Sequence, residues 1–127
     1  MSLRIGVDLV PLSRAQALLE PDNQLVLARM LHVDEISECM RGGHLDPSSV
    51  AGRLAVKEAV FKLFRCRDAV VPWQSIHVEG LPGTWPVVYL DGAAAKLARA
   101  AGIRSEISVS ISHDGAYAVA VAATTME

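Results

Sequence analysis

The sequence predicts an α+β fold, with a mainly antiparallel sheet packed against one long helix and several shorter ones. Three observations carry that prediction. Apolar residues alternate in short runs at both ends of the chain, and a period of two marks strands. One long run, "SVAGRLAVKEAVFKLF" (49–64), keeps apolar residues at helical spacing instead. The later strands also come in adjacent pairs joined by short turns, which is the signature of hairpins rather than of strand–helix–strand units.

Taken in order, "RIGVDLV" (4–10) reads as a strand with Ile5, Val7 and Leu9 on one face. Ser13 is placed to cap a short helix through "RAQALLE", which Pro21 ends. "NQLVLARML" (23–31) and "VDEISECM" (33–40) are two further helical pieces. "RGGHLDPSS" (41–49) is a loop by its glycines and proline, and its serines supply an N-cap for the long helix. "QSIHVEG" (74–80) and "PVVYLDG" (86–92) alternate as strands around the turn "LPGTW". "GAAAKLARAAG" (92–102) is a short helix stopped by Gly102. "EISVSIS" (106–112) and "AYAVAVAA" (116–123) form a last pair of strands joined by "HDG".

The bulk numbers bound what such a chain can be. With 127 residues, half of them hydrophobic and a fifth charged, it fits one compact domain spanning 1–127 and argues against disorder. The apolar run "AYAVAVAA" is too short to span a membrane, and "MSLRIGVDLV" lacks the pattern of a signal peptide. Cys39 and Cys66 lack metal-site spacing and fit free thiols in a reducing cytoplasm, the expected location. Net charge is −2, yet residues 53–67 alone carry +4, leaving −6 for the remainder. A weakly acidic chain is a poor nucleic-acid binder, while a concentrated basic segment suits a small anionic ligand.

That segment lies in the long helix. Ala55, Val56, Ala59, Val60 and Leu63 form an apolar stripe. Arg53 and Lys57 stack one turn apart, as do Glu58 and Lys62, with Leu54 and Phe61 projecting among them. A solvated face with a Glu58–Lys62 pair explains the charges alone; the large apolar groups between them favour a cleft or a subunit interface. Asp8 interrupts an apolar strand beside Gly6, where an unpaired buried carboxylate would be costly. An exposed strand end is the ordinary alternative. Two isolated carboxylates, Asp8 and Glu58, would also suit magnesium, often held by one or two carboxylates together with phosphates and waters. Ser112, His113 and Asp114 do not make a hydrolase triad, because neighbouring strand residues point to opposite faces. A turn histidine is able to donate to a phosphate.

"GVDLV", "AGRLAVKEAVFK" and "SVSISHDGAYAVAVA", in that order and at these separations, resemble the holo-[acyl-carrier-protein] synthase family, the short single-domain type of 4′-phosphopantetheinyl transferase. The resemblance runs from Ile5 to about Ala123. It implies the transferase fold and magnesium-dependent transfer of 4′-phosphopantetheine from coenzyme A to a serine of an apo acyl carrier protein, with release of adenosine 3′,5′-bisphosphate. It also implies a homotrimer with active sites between subunits. By the same resemblance Asp8 and Glu58 hold the metal, Arg53, Lys57, Lys62 and His113 contact coenzyme A phosphates, and Lys62 stabilises charge during transfer. Glu35 matches a recurring family glutamate and is a candidate contributor to serine deprotonation. Arg14, Leu18 and Arg29 are candidates for gripping the carrier, whose pathway, fatty-acid or polyketide, stays open. Manganese accepts the same oxygen ligands as magnesium.

Two segments depart from the family pattern. "RCRD" (65–68) replaces a glycine-rich turn, and Thr84-Trp85-Pro86 replaces Gly-Lys-Pro, losing a basic residue. These departures motivate one alternative, a homologue that binds carrier or coenzyme A without efficient transfer.

Overall fold

The computed structural model describes residues 2–80 and 83–126. Strand β1 (Ser2–Pro11) leads directly into helix α1 (Leu12–Leu18), and a 3-10 turn (Pro21–Asn23) precedes α2 (Gln24–Met30) and α3 (Val33–Glu38). A small ladder of β2 (Met40–Arg41) and β3 (His44–Leu45) then delivers the chain to the long helix α4 (Pro47–Leu63). After a second 3-10 turn (Trp73–Ser75) come β4 (Ile76–Glu79), β5 (Val87–Leu90), α5 (Gly92–Ala100), β6 (Ser108–Asp114) and β7 (Tyr117–Met126).

Every strand pair among the described residues is antiparallel. The main sheet has the order β1-β7-β6, so the last strand is central. β1 and β7 pair along their full length, from Ser2↔Met126 to Pro11↔Tyr117. β4 and β5 form a separate ladder. Leu81 and Pro82 of the expected "LPGTW" turn lie outside the described residues.

Local chemistry moved several boundaries. Asp46, not a serine, caps α4: its Oδ2 accepts from the Ser49 backbone N–H at 3.1 Å and from the Ser49 hydroxyl at 2.7 Å. A shorter acceptor reaches the first-turn amides well, and Pro47 fits the first helical position because no intrahelical partner awaits its nitrogen. Ser13 caps nothing, since α1 starts one residue earlier, directly from Pro11. The "RGG" loop is a two-residue hairpin turn at Gly42–Gly43, both with positive φ. The last hairpin turns at Gly115–Ala116, so His113 and Asp114 belong to strand β6.

α4 lies across the inner face of the main sheet. Ala118, Ala120 and Ala122 of β7 and Ala51, Ala55 and Ala59 of α4 are all essentially inaccessible. These small residues allow the helix and sheet backbones to approach closely. Gly6 marks the tightest point: a Cβ there would fall 2.2 Å from the Ala59 carbonyl oxygen. Val50, Leu54, Val56, Val60 and Leu63 complete the core, each stabilising the fold by about 1.5–3 kcal/mol on burial.

Eleven of the seventeen residues of α4 are buried, so it is a central helix and has no single outward face for its charges. The outer face of the sheet is apolar and open. Leu3, Ile5, Val7 and Leu9 are 61, 55, 49 and 55% exposed, and Tyr117 and Val121 continue the patch. The side of β1 carrying Gly6, Asp8 and Val10 is the one turned to α4.

Candidate active site

Two diverging ridges of charge leave α4. Glu58 and Lys62, one turn apart, point towards β1 and α1. Arg53 and Lys57, rotated by about one residue's 100° from the first pair, point towards α3 and β4.

On the first ridge, close packing at Gly6 brings Asp8 to Lys62, whose Nζ donates to Asp8 Oδ1 at 3.0 Å and to the Val7 carbonyl at 2.7 Å. The Asp8 carboxyl is a close enough neighbour of Glu58 to raise its pKa. Arg14 of α1 covers Glu58 from the solvent side, its Nη2 3.1 Å from Oε1 and its Nη1 3.3 Å from Oε2. Asp8 Oδ2 is buried and has no hydrogen-bond partner among the described residues. Burial, reinforced by the neighbouring Asp8 carboxyl and opposed by Arg14, pushes the Glu58 carboxyl up to about 7.

A buried carboxylate pair with one oxygen orphaned, where burial favours a proton on Glu58, has oxygen atoms left without a ligand. An oxygen-seeking dication fits it. Among the described residues no three His, Cys, Asp or Glu side chains group as a complete metal cage. Two protein carboxylates with the remaining positions left to water and substrate oxygens are typical of magnesium.

Arg53 sits elsewhere, at a cleft of about 200 Å³ lined also by Arg41, Ser49, Gly52, Thr84 and His113. Its guanidinium is buried and donates to the carbonyls of Val78 and Gly80, the latter at 2.7 Å, and pairs with Glu38 at 3.2 Å. It thereby fixes the segment after β4 as one wall of the cleft. His113 Nε2 lies 2.9 Å from the Ser48 carbonyl oxygen. A carbonyl only accepts, so Nε2 carries the hydrogen, and Nδ1 donates to an anion only when the ring is protonated. Gly52 makes room for that ring, since a Cβ there would stand 3.2 Å from Nε2. Arg41, which nothing in the sequence singled out, is exposed on the cleft rim. Its Nη1 donates to the Glu38 and Met40 carbonyls.

Lys57, expected with the phosphate-binding cations, is completely buried. Its ammonium donates to Glu35 Oε1 at 2.6 Å, the Trp73 carbonyl at 2.8 Å and the Met30 carbonyl at 2.9 Å. Three acceptors saturate it. Burial lowers its pKa, with Glu35 opposing. Glu35 is equally committed: beyond Lys57 it accepts from the backbone N–H groups of His32 at 2.8 Å and Val78 at 3.0 Å. It is 4% exposed, and both of its oxygens already accept hydrogen bonds. The pair is a structural clasp joining α2, α3, α4 and β4. The structure therefore groups Asp8, Glu58 and Lys62, groups Arg53 with His113, and places Lys57 and Glu35 in the interior. Leu18 is half-buried and Arg29 exposed, both apart from these groups.

"RCRD" follows α4, and Arg65 there adopts a left-handed φ of +50°, the conformation glycine takes most readily at a helix end.

Residues 4–122 match the 4′-phosphopantetheinyl transferase superfamily. The chain is 37% identical to the holo-[acyl-carrier-protein] synthase of Desulforudis audaxviator over 122 residues, 96% of this chain and 92% of that one. The structure superposes on the holo-[acyl-carrier-protein] synthase of Helicobacter pylori in complex with coenzyme A with a TM-score of 0.74 at 27% identity, covering 95% of this chain and 99% of that one. It superposes on the Chronobacterium ammoniagenes synthase–coenzyme A complex with a TM-score of 0.80 at 26% identity, covering 100% and 99%. No described helix is long and apolar enough to cross a membrane.

Proposed function

This chain belongs to the holo-[acyl-carrier-protein] synthase family of 4′-phosphopantetheinyl transferases, and from that premise we propose that it moves 4′-phosphopantetheine from coenzyme A to a serine of an apo acyl carrier protein with a magnesium ion held by Asp8 and Glu58. The observation that carries the metal assignment is the orphaned, buried Asp8 Oδ2 beside a carboxyl pushed to about 7. When bound there, magnesium supplies Lewis-acid polarisation and charge neutralisation at the pyrophosphate.

The serine hydroxyl attacks the β-phosphorus of coenzyme A and releases its proton to water, the bond to the bridging oxygen breaks, and adenosine 3′,5′-bisphosphate leaves. Catalysis of such a displacement rests on positioning and on charge stabilisation. Lys62 is one of the cations at the carboxylate pair, and its side chain is 54% exposed, so its ammonium has room to turn towards developing phosphate charge. Arg53 shapes the cleft wall, and His113, when its ring is protonated, supplies an Nδ1 donor for the nucleotide phosphates there. Arg41 adds an exposed guanidinium on the same rim, a substitute for the basic residue missing at Trp85.

The carboxylate pair and the Arg53–His113 cleft lie on different sides of α4, so one subunit does not bring them together around a single pyrophosphate. Association through the open apolar face of β1 and β7 joins the groups of neighbouring subunits in a homotrimer. An apolar patch of this kind on a soluble fold marks an interaction surface. The carrier docks from the α1 side, where Arg14 meets the pair.

Intact-mass analysis of several apo acyl carrier proteins after incubation with the protein, coenzyme A and magnesium tests this reading. Transfer adds about 340 Da, and a chelator abolishes it if the metal acts as argued. A carrier-independent lack of any gain would favour the alternative of binding without transfer.

A further inference from the structure

The carboxylate pair is balanced by two side-chain cations with different attachments. Lys62 holds Asp8 Oδ1 and the Val7 carbonyl. Arg14 faces both oxygens of Glu58 and has no other hydrogen-bond partner among the described residues. We propose that Arg14 is a displaceable counter-cation: it holds Glu58 in place of a divalent ion, and metal binding at Asp8 and Glu58 requires it to swing away. The inference rests on the metal reading of these two carboxylates.

Competition follows from the geometry. Asp8 offers Oδ2 without disturbing any contact, but both Glu58 oxygens face the guanidinium. A cation that takes a Glu58 oxygen therefore exchanges directly with Arg14. Charge makes the same demand. Asp8, Glu58, Lys62 and Arg14 sum to zero, so a dication joining the intact set would leave a compact cluster at +2, with like charges in contact. Moving Arg14 into solvent relieves this, and its guanidinium has no other hydrogen bond to give up among the described residues. Its side chain is already 41% exposed on a short helix. Once released, the guanidinium projects from the α1 surface, so the contact with Glu58 and a contact with an acidic partner exclude each other.

Manganese binding, read by electron paramagnetic resonance with Mn²⁺ alone as the probe, separates the possibilities. Arg14→Gln should tighten Mn²⁺ binding about fivefold, the worth of one partly exposed ion pair. Arg14→Lys keeps a displaceable charge and should stay near the parent protein, while Asp8→Asn should weaken binding severely. Unchanged or weaker binding by Arg14→Gln, with Asp8→Asn still deleterious, overturns the role of Arg14 and leaves the metal site standing. Binding indifferent to Asp8→Asn, or undetectable in every variant, overturns the metal site and this inference with it.

Discussion

Replacing Glu58 by glutamine should make the protein more stable at alkaline pH and catalytically poor at once. The carboxyl titrates at about 7 in the folded chain against 4.5 for the unconstrained group. The folded state thus binds this proton more tightly than the unfolded state. Below 4.5 both states are protonated and the stabilisation is fully present. As pH rises from 4.5 to about 7 the unfolded chain releases its proton first, and stability falls by up to about 1.4 kcal/mol per pH unit. The full loss is about 3 kcal/mol by linkage, nearer 2 after allowing for the residual solvent screening of a side chain 19% exposed. Glutamine keeps the shape of the protonated acid and cannot ionise. Denaturant titrations of parent and Glu58→Gln in chelator, at fixed protein concentration so that the proposed association contributes equally, should coincide near pH 4.5. By pH 8 they should diverge, with the variant about 2 kcal/mol the more stable. Transfer activity should drop in the same variant, because stability gained by neutralising a strained site is gained where function needs the charge. A constant difference across pH, or a variant less stable at pH 8, would refute the description of this site as one where burial penalises the ionised Glu58 carboxyl.

Other substitutions probe the parts around it. Lys57→Met leaves Glu35 buried without its cation and should cost about 3–5 kcal/mol in denaturant titration; adding Glu35→Gln should recover part of that, and a double variant as unstable as the sum would deny the clasp. Val7→Lys places a charge in the centre of the open sheet face and should yield monomers by light scattering coupled to size exclusion, whereas an unchanged assembly would move the interface elsewhere. Gly6→Ala forces β1 and α4 apart at a 2.2 Å contact and should destabilise by about 2 kcal/mol or more; a loss under about 0.5 kcal/mol would mean that this approach is slack.

Much of this molecule can be read from its sequence where a pattern is local. The first strand, the long helix and the closing hairpin follow from period alone. Asp8 announces itself by interrupting an apolar strand, and Glu58 and Lys62 by sharing one side of a helix; the fold does bring these three together. The same rule misplaces Lys57. Its one-turn spacing from Arg53 looks identical to that of Glu58 and Lys62, but what a helix side meets is set by distant segments. Here the acceptor is Glu35, 22 residues earlier, which in turn is held by Val78, 43 residues later. The partnership of Arg14 with Glu58 spans 44 residues and has no local signature either. Alternation in β1 identified two faces without saying that the apolar one, with Ile5, Val7 and Leu9, would be the one left exposed.

These misplacements share a cause in the burial of α4. An amphipathic surface helix sends its charges outward, so charge predicts exposure. A helix buried on most sides breaks that link, and each of its charges must be matched inside the protein or used by a ligand. Arg53 and Lys57 are matched, by carbonyls and by Glu38 and Glu35. Glu58 is matched only from its solvent side, and Asp8 beside it keeps one oxygen unmatched. Neutralising a fully matched charge should therefore cost stability, as with Lys57, while neutralising Glu58 should return stability and remove chemistry. Opposite signs at two adjacent positions of one helix are what distinguish its structural ridge from its reactive one.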